Sequence, residues 1–137
     1  MARKPVQPEF WQYVFDASSL INIERSKKMG RLRGLKGAVL IPEKVAEEVS
    51  QPNSALARFI CSYPAVVTGF NTRQEEDGYL HFCSQRVIDQ GEASAMAIAL
   101  NRNIPLVIDE RETKATGKAR EHGIETLSSQ DFIRQGL

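Results

Sequence analysis

Short, unbroken apolar runs, each passing directly into a stretch of helical period, constrain this chain most. "YVF" leads into Asp16, "AVLI" (Ala38 to Ile41) precedes Pro42, and "AVV" (Ala65 to Val67) follows Pro64. "PLVI" (Pro105 to Ile108) leads into Asp109, and "IETL" (Ile124 to Leu127) is a weaker fifth. Between them, helical periodicity covers Ser19 to Met29, Pro42 to Ser50, Ser54 to Ser62, Thr72 to Asp89, Glu92 to Asn101 and Arg111 to His122. The runs do not alternate apolar with polar, as a half-exposed antiparallel strand would. They predict strands buried on both faces, hence an α/β chain with a mostly parallel sheet covered by helices. Ligands of such sheets bind outside the carboxyl ends of the strands. Pro42 suits the first turn of a helix, and Thr72 with Glu75 has capping-box spacing.

At 137 residues the chain is expected to form one domain, residues 13–137, behind a polar tail, residues 1–12. A formal net charge of +1 excludes polyanion binding by bulk charge, so any such contact must come from a local basic patch. No apolar run approaches the roughly 20 residues of a membrane span, and the amino terminus has no signal-like core, so no membrane partner is expected. Cys61 and Cys83 stand in no metal-like spacing and are expected as reduced core thiols of a cytoplasmic protein. His81 and His122 fit no zinc pattern.

Two strand ends carry acids in the same context, "YVFD" at Asp16 and "PLVID" at Asp109. In a parallel sheet both emerge at one edge, and strands about 4.8 Å apart would let two carboxylates share an ion. Each alone also suits a helix cap, and Asp109 with Glu112 has capping-box spacing. In "IPEKVAEEV", a rotation of about 100° per residue puts Glu48 on the side of Val45 and Val49, while Glu47 faces solvent. In "GEASAMAIAL", Glu92 shares a face with Ala95, Met96 and Ala99, although the helix dipole alone would favour an acid there. An acid on an apolar face is costly to bury unless it pairs or binds a cation. Asp16, Glu48, Glu92 and Asp109, with no His or Cys near, specify a hard cation, Mg²⁺ or Mn²⁺. Such a site suits phosphoryl or phosphodiester transfer.

With these residues in order, the chain resembles the PIN domain, a family of metal-dependent ribonucleases that includes the VapC toxins. "VFDASSLINI" resembles the opening strand with its first metal ligand, Asp16, and a supporting hydroxyl, Ser18. "IPEKVAEEV" resembles the segment of the second acid, Glu48; "GEASAMAIAL" that of the third, Glu92; and "IPLVIDERETKA" the strand-end acid, Asp109. Glu92 and Val107 stand where VapC proteins often carry Asp and Thr, and the Gly91-Glu92 form resembles another prokaryotic branch. The resemblance implies a three-layer α/β/α sandwich and an Mg²⁺- or Mn²⁺-dependent endoribonuclease with all four acids as catalytic metal ligands. It also implies a homodimer and, in the toxin version, an antitoxin partner over the acidic cleft. Glu110, beside Asp109, is expected on the surface.

For RNA, "ERSKKMGRLRGLK" concentrates Arg25, Lys27, Lys28, Arg31, Arg33 and Lys36, and its glycines predict a mobile loop. Lys114, Lys118 and Arg120 form a second basic stripe. "ATGKA" lacks the upstream glycine and the hydroxyl after Lys118 that a Walker motif needs. The alternative is a catalytically weak PIN-like module that binds RNA or protein. A receiver-like phosphoacceptor ranks last, lacking a paired acid near the first strand and a late strand-end lysine.

Overall fold

The computed structural model describes residues 12–86, 88–109 and 115–135. In chain order its elements are β1 (Tyr13–Phe15), α1 (Ala17–Arg25), α2 (Met29–Gly34), β2 (Val39–Pro42), α3 (Glu43–Val49) and α4 (Ala55–Ser62). They continue with β3 (Val67–Thr68), α5 (Arg73–Cys83), α6 (Gln90–Arg102), β4 (Leu106–Val107), α7 (Ala115–Glu121), β5 (Thr126–Leu127) and α8 (Ser129–Gln135). The five strands form one sheet in the order β3-β2-β1-β4-β5, and every neighbouring pair is parallel. The expected α/β class and the sheet covered by helices are therefore observed.

The strands are short because each is apolar for only a few residues. Their alternating side chains divide the core in two. Val14, Leu40 and Leu106 pack with Met96 and Ile98 of α6, beside α5 and α7. Phe15, Ile41 and Val107 pack on the other face with Leu20, Ile23 and Phe132, from α1 and α8. Phe132 sets its ring edge-on to Phe15 at 4.8 Å and to Tyr13 at 5.1 Å, which fixes α8 on the sheet. Helix α6 is buried without a break from Gly91 to Ala99, and its alanines let it lie between the sheet and α5.

The strand order places the site. From β1 the chain builds outward to β2 and β3, then returns to β4 on the other side of β1. The reversal lies between β1 and β4, at whose carboxyl ends stand Asp16 and Asp109.

Three expectations are corrected. The basic stretch is not a loop: Met29 and Leu32, both buried and three apart, hold α2 against the core, and Lys36–Ala38 form a 3-10 turn. Helix α5 stops at Cys83 instead of running to Asp89, with the Ser84 hydroxyl donating 2.6 Å to the His81 carbonyl. The cysteines are free, but neither is a core thiol. Cys61 is exposed, turned away from the buried Phe59 side of α4, and Cys83 is half-buried. Among the described residues, no helix is long and apolar enough to cross a membrane.

Candidate active site

At the end of β1 the Asp16 amide donates 3.0 Å to the Val107 carbonyl, the last step of the β1–β4 ladder. Asp16 then turns extended (φ −87°, ψ 162°) and caps α1. Its Oδ2 accepts from the Ser18 amide at 3.2 Å and the Ser18 hydroxyl at 2.8 Å. The Ser18 Oγ also accepts from the Asp109 amide at 3.1 Å, so one hydroxyl joins the two strand ends. Ser19 Oγ lies 2.8 Å from the Asp16 carbonyl and 2.9 Å from that of Val107, and its proton serves both. "DASS" thus reads as a cap and a strand-to-strand clasp together.

Asp109 is held through both of its carboxylate oxygens. Its Oδ1 accepts from the Ser129 amide at 2.7 Å; its Oδ2 accepts from the Ser129 hydroxyl at 2.7 Å and from Asn22 Nδ2 at 2.5 Å. Both oxygens therefore bind protein hydrogens and tie α1 and the start of α8 to the end of β4. Glu110, Glu112 and Lys114 lie outside the described residues.

The helix acids divide differently from the sequence reading. Glu48 and Glu47 are both exposed as residues, but the Glu48 carboxylate is tucked against the first turn of α6. A Cβ on Gly91 would lie 1.9 Å from Glu48 Oε1, so glycine is what admits it. Glu92 is buried as expected, in a capping box. Its Oε1 accepts from the Asp89 amide at 3.0 Å, and Asp89 Oδ1 accepts from the Glu92 amide at 2.8 Å. The capping box explains the inward direction of Glu92.

Asp89, which the sequence reading passed over, is exposed at the mouth of the site. A cleft of 410 Å³ is lined by Asp89, Gln90, Gly91, Glu48, Glu47 and Lys44. Asp-x-x-Glu spacing before an apolar helix was the available signal. Helical periodicity could not find Asp89, because an N-cap stands outside the helix.

The electrostatics join Asp16, Glu48 and Asp89. Burial raises the Asp16 pKa, against the lowering effect of the Ser18 hydrogen bonds, and the Asp89 charge adds to the rise. The Glu48 pKa is raised to about 7, first by partial burial of its carboxylate, then by the charges of Asp89 and Asp16. Among the described residues, no lysine or arginine forms an ion pair with any of the three. Nor are three or more His, Cys, Asp or Glu side chains gathered into a ready-made metal cage. The donor set is all oxygen and all acidic, which suits a hard divalent cation.

The first basic stretch runs away from Asp16. Helix α1 leads about 13 Å away from Asp16 over its nine residues. Lys36 stands just before β2, which begins level with Tyr13 at the opposite edge of the sheet. Arg25, Lys27, Lys28 and Arg33 are exposed and Arg31 half-buried along this stretch. Lys118 is 3.8 Å from Glu121 on α7.

No curated protein matches the chain. The crystal structure of PAE2754 from Pyrobaculum aerophilum is similar with a TM-score of 0.59, covering 92% of this chain and 96% of that one. At 14% identity the likeness speaks for the fold alone. A family model described as PIN domain matches residues 12–128. The chain therefore belongs to the PIN-domain family and is a nuclease-type module.

Proposed function

We propose that the protein is a metal-dependent endoribonuclease whose site is formed by Asp16, Glu48 and Asp89, with Glu92 and Asp109 behind them. The observation that carries this reading is the crowding of Asp16, Glu48 and Asp89, none of them ion-paired among the described residues, beside the reversal point of the sheet. Acids so placed raise one another's pKa unless a cation joins them.

Asp16, Glu48 and Asp89 would hold Mg²⁺ or Mn²⁺. When bound, such a cation neutralises phosphate charge and lowers the pKa of an attacking water. The residues themselves do the rest. Ser18 keeps Asp16 in one rotamer and ties it to the Asp109 backbone. Asp109 holds α1 and α8 at the edge of the site, and Glu92 fixes the turn that presents Asp89. Glu48, its pKa raised to about 7, would give up its proton on holding a cation. A toxin role, with an antitoxin over this cleft, is the narrower form of the same reading.

The deciding experiment is Asp16→Asn. Asn caps a helix as well as Asp, so the fold should survive. Mn²⁺-dependent cleavage of RNA should fall on the order of 10³-fold, the upper range for removing one preorganised charged group. Undiminished cleavage sinks the proposal. A wild-type protein that shows no Mn²⁺ heat by calorimetry near neutral pH would instead support the binding-module alternative.

A further inference from the structure

The cleft contains one cation among its described lining residues, Lys44, and no expectation from sequence involved it. Lys44 sits in the first turn of α3, two residues past the carboxyl end of β2. It is half-buried, with Glu47 and Glu48 three and four residues on. Neither forms an ion pair with it, and among the described residues no other carboxylate does. Its Nζ lies instead over the ring of Tyr79, 5.5 Å from the centroid, and that ring is backed by Phe70 at 5.3 Å. A cation over an aromatic face is held by only about 0.5–1 kcal/mol where water reaches it. Lys44 thus stands beside the acids but off them, in a weak perch.

An RNA chain entering this cleft faces Glu47, Glu48 and Asp89, all of which repel it. Among the described residues, no other arginine or lysine lines this cleft. Arg102 is committed to Glu75, Lys118 lies beside Glu121, and the stretch from Arg25 to Lys36 leads to the far edge of the sheet. We propose that Lys44 grips a backbone phosphate of the RNA beside the acids, leaving the Tyr79 ring to do so. The inference rests on the ribonuclease reading and adds a substrate-positioning residue to it. The same placement keeps the ammonium from competing with a divalent cation for Glu48 and Asp89.

The test uses the full chain with Mn²⁺ and a labelled 2′-O-methyl oligoribonucleotide, which lacks the 2′-hydroxyl and resists cleavage. Binding is followed by fluorescence anisotropy across a salt series, and Mn²⁺ affinity separately by calorimetry. Lys44→Met should weaken oligonucleotide binding about tenfold at low salt and reduce the slope of log K against log salt by about one. Its Mn²⁺ affinity should be unchanged or slightly tighter, since a positive charge has left the cleft. Lys44→Arg should restore the slope. An unchanged slope, or a Lys44→Met that loses Mn²⁺ and oligonucleotide together, overturns the assignment while leaving the ribonuclease reading standing. A wild-type protein that binds no Mn²⁺ overturns both.

Discussion

Glu75 and Asp16 are both acids almost fully removed from water, at 1% and 3% exposure, and the molecule treats them in opposite ways. Glu75 receives a cation of its own. Arg102 Nε donates to its Oε2 at 2.8 Å and Nη2 to its Oε1 at 3.1 Å, while the Asn71 amide donates to Oε1 at 2.7 Å. Nη2 also reaches Thr68 Oγ1 and the Gly69 carbonyl, so the pair ties the ends of β3 and α6 to the start of α5. Burial works to raise the Glu75 pKa, but the Arg102 and Asn71 hydrogen bonds and the Arg102 charge outweigh it, and the pKa falls. Asp16 has hydrogen bonds from Ser18 and Ala17 but no ion pair among the described residues, and burial, with the Asp89 charge added, raises its pKa. A carboxylate that serves the fold is given its counter-charge within the chain. Asp16, at the carboxyl edge, is given none among the described residues.

The contrast can be broken most forcefully at Arg102. Arg102→Met leaves Glu75 buried and unpaired, and urea unfolding should show a loss of about 3 kcal/mol, with Mn²⁺ affinity unaffected. Adding Glu75→Gln should return part of that loss. A cost below about 1 kcal/mol, the worth of an exposed pair, would erase the distinction.

A smaller effect is expected at Gly91. Gly91→Ala puts a methyl group where Glu48 Oε1 now lies, so the carboxylate must withdraw. Mn²⁺ affinity by calorimetry should drop about tenfold, the lower range for disturbing a ligand's support. Stability should hold, because alanine favours the helix by about 0.5–1 kcal/mol. Equal Mn²⁺ affinity would remove Glu48 from the site.

The smallest effect is the pH dependence of the metal-free protein. The Glu48 pKa rises from 4.5 in the unfolded chain to about 7 in the folded one, so between these values the folded state binds more protons. Its contribution is fully present below pH 4.5 and lost as pH rises through 7. Glu48→Gln, compared with wild type in EDTA, should therefore gain stability from pH 5 to pH 8, about 0.5 kcal/mol after screening of a largely exposed residue. Mn²⁺ affinity of the wild type should rise over the same interval. Parallel stability curves for the two proteins would contradict the raised pKa.

Much of this was legible from the chain, and the failures have a common cause. The strand-end acids Asp16 and Asp109 could be read because an apolar run and the residue that ends it are neighbours in sequence. Ser18 followed from the family resemblance. Asp89 was not found, and the inward turn of Glu92 lacked its explanation, because a capping box is an exchange of hydrogen bonds at a helix boundary, where periodicity is blind. Thr72 and Glu75 make only half of their expected box: Thr72 Oγ1 accepts from the Glu75 amide, but Glu75 turns to Asn71 and Arg102. The basic run from Arg25 to Lys36 was equally visible, yet charge in sequence carries no information about which edge of a sheet it will face.

The sequence by itself determined that strands buried on both faces would alternate with helices, and that two of them would end in aspartate, since burial pattern and capping are local properties. Only the tertiary structure decided which acids meet. The order β3-β2-β1-β4-β5 brings Asp16 beside Asp109, and Gly91 lets α6 accept Glu48 at its first turn. It likewise gave Glu75 an arginine and, among the described residues, gave Asp16 none. Strand order and helix docking are settled by non-local packing, and it is there that a carboxylate acquires or lacks its counter-charge.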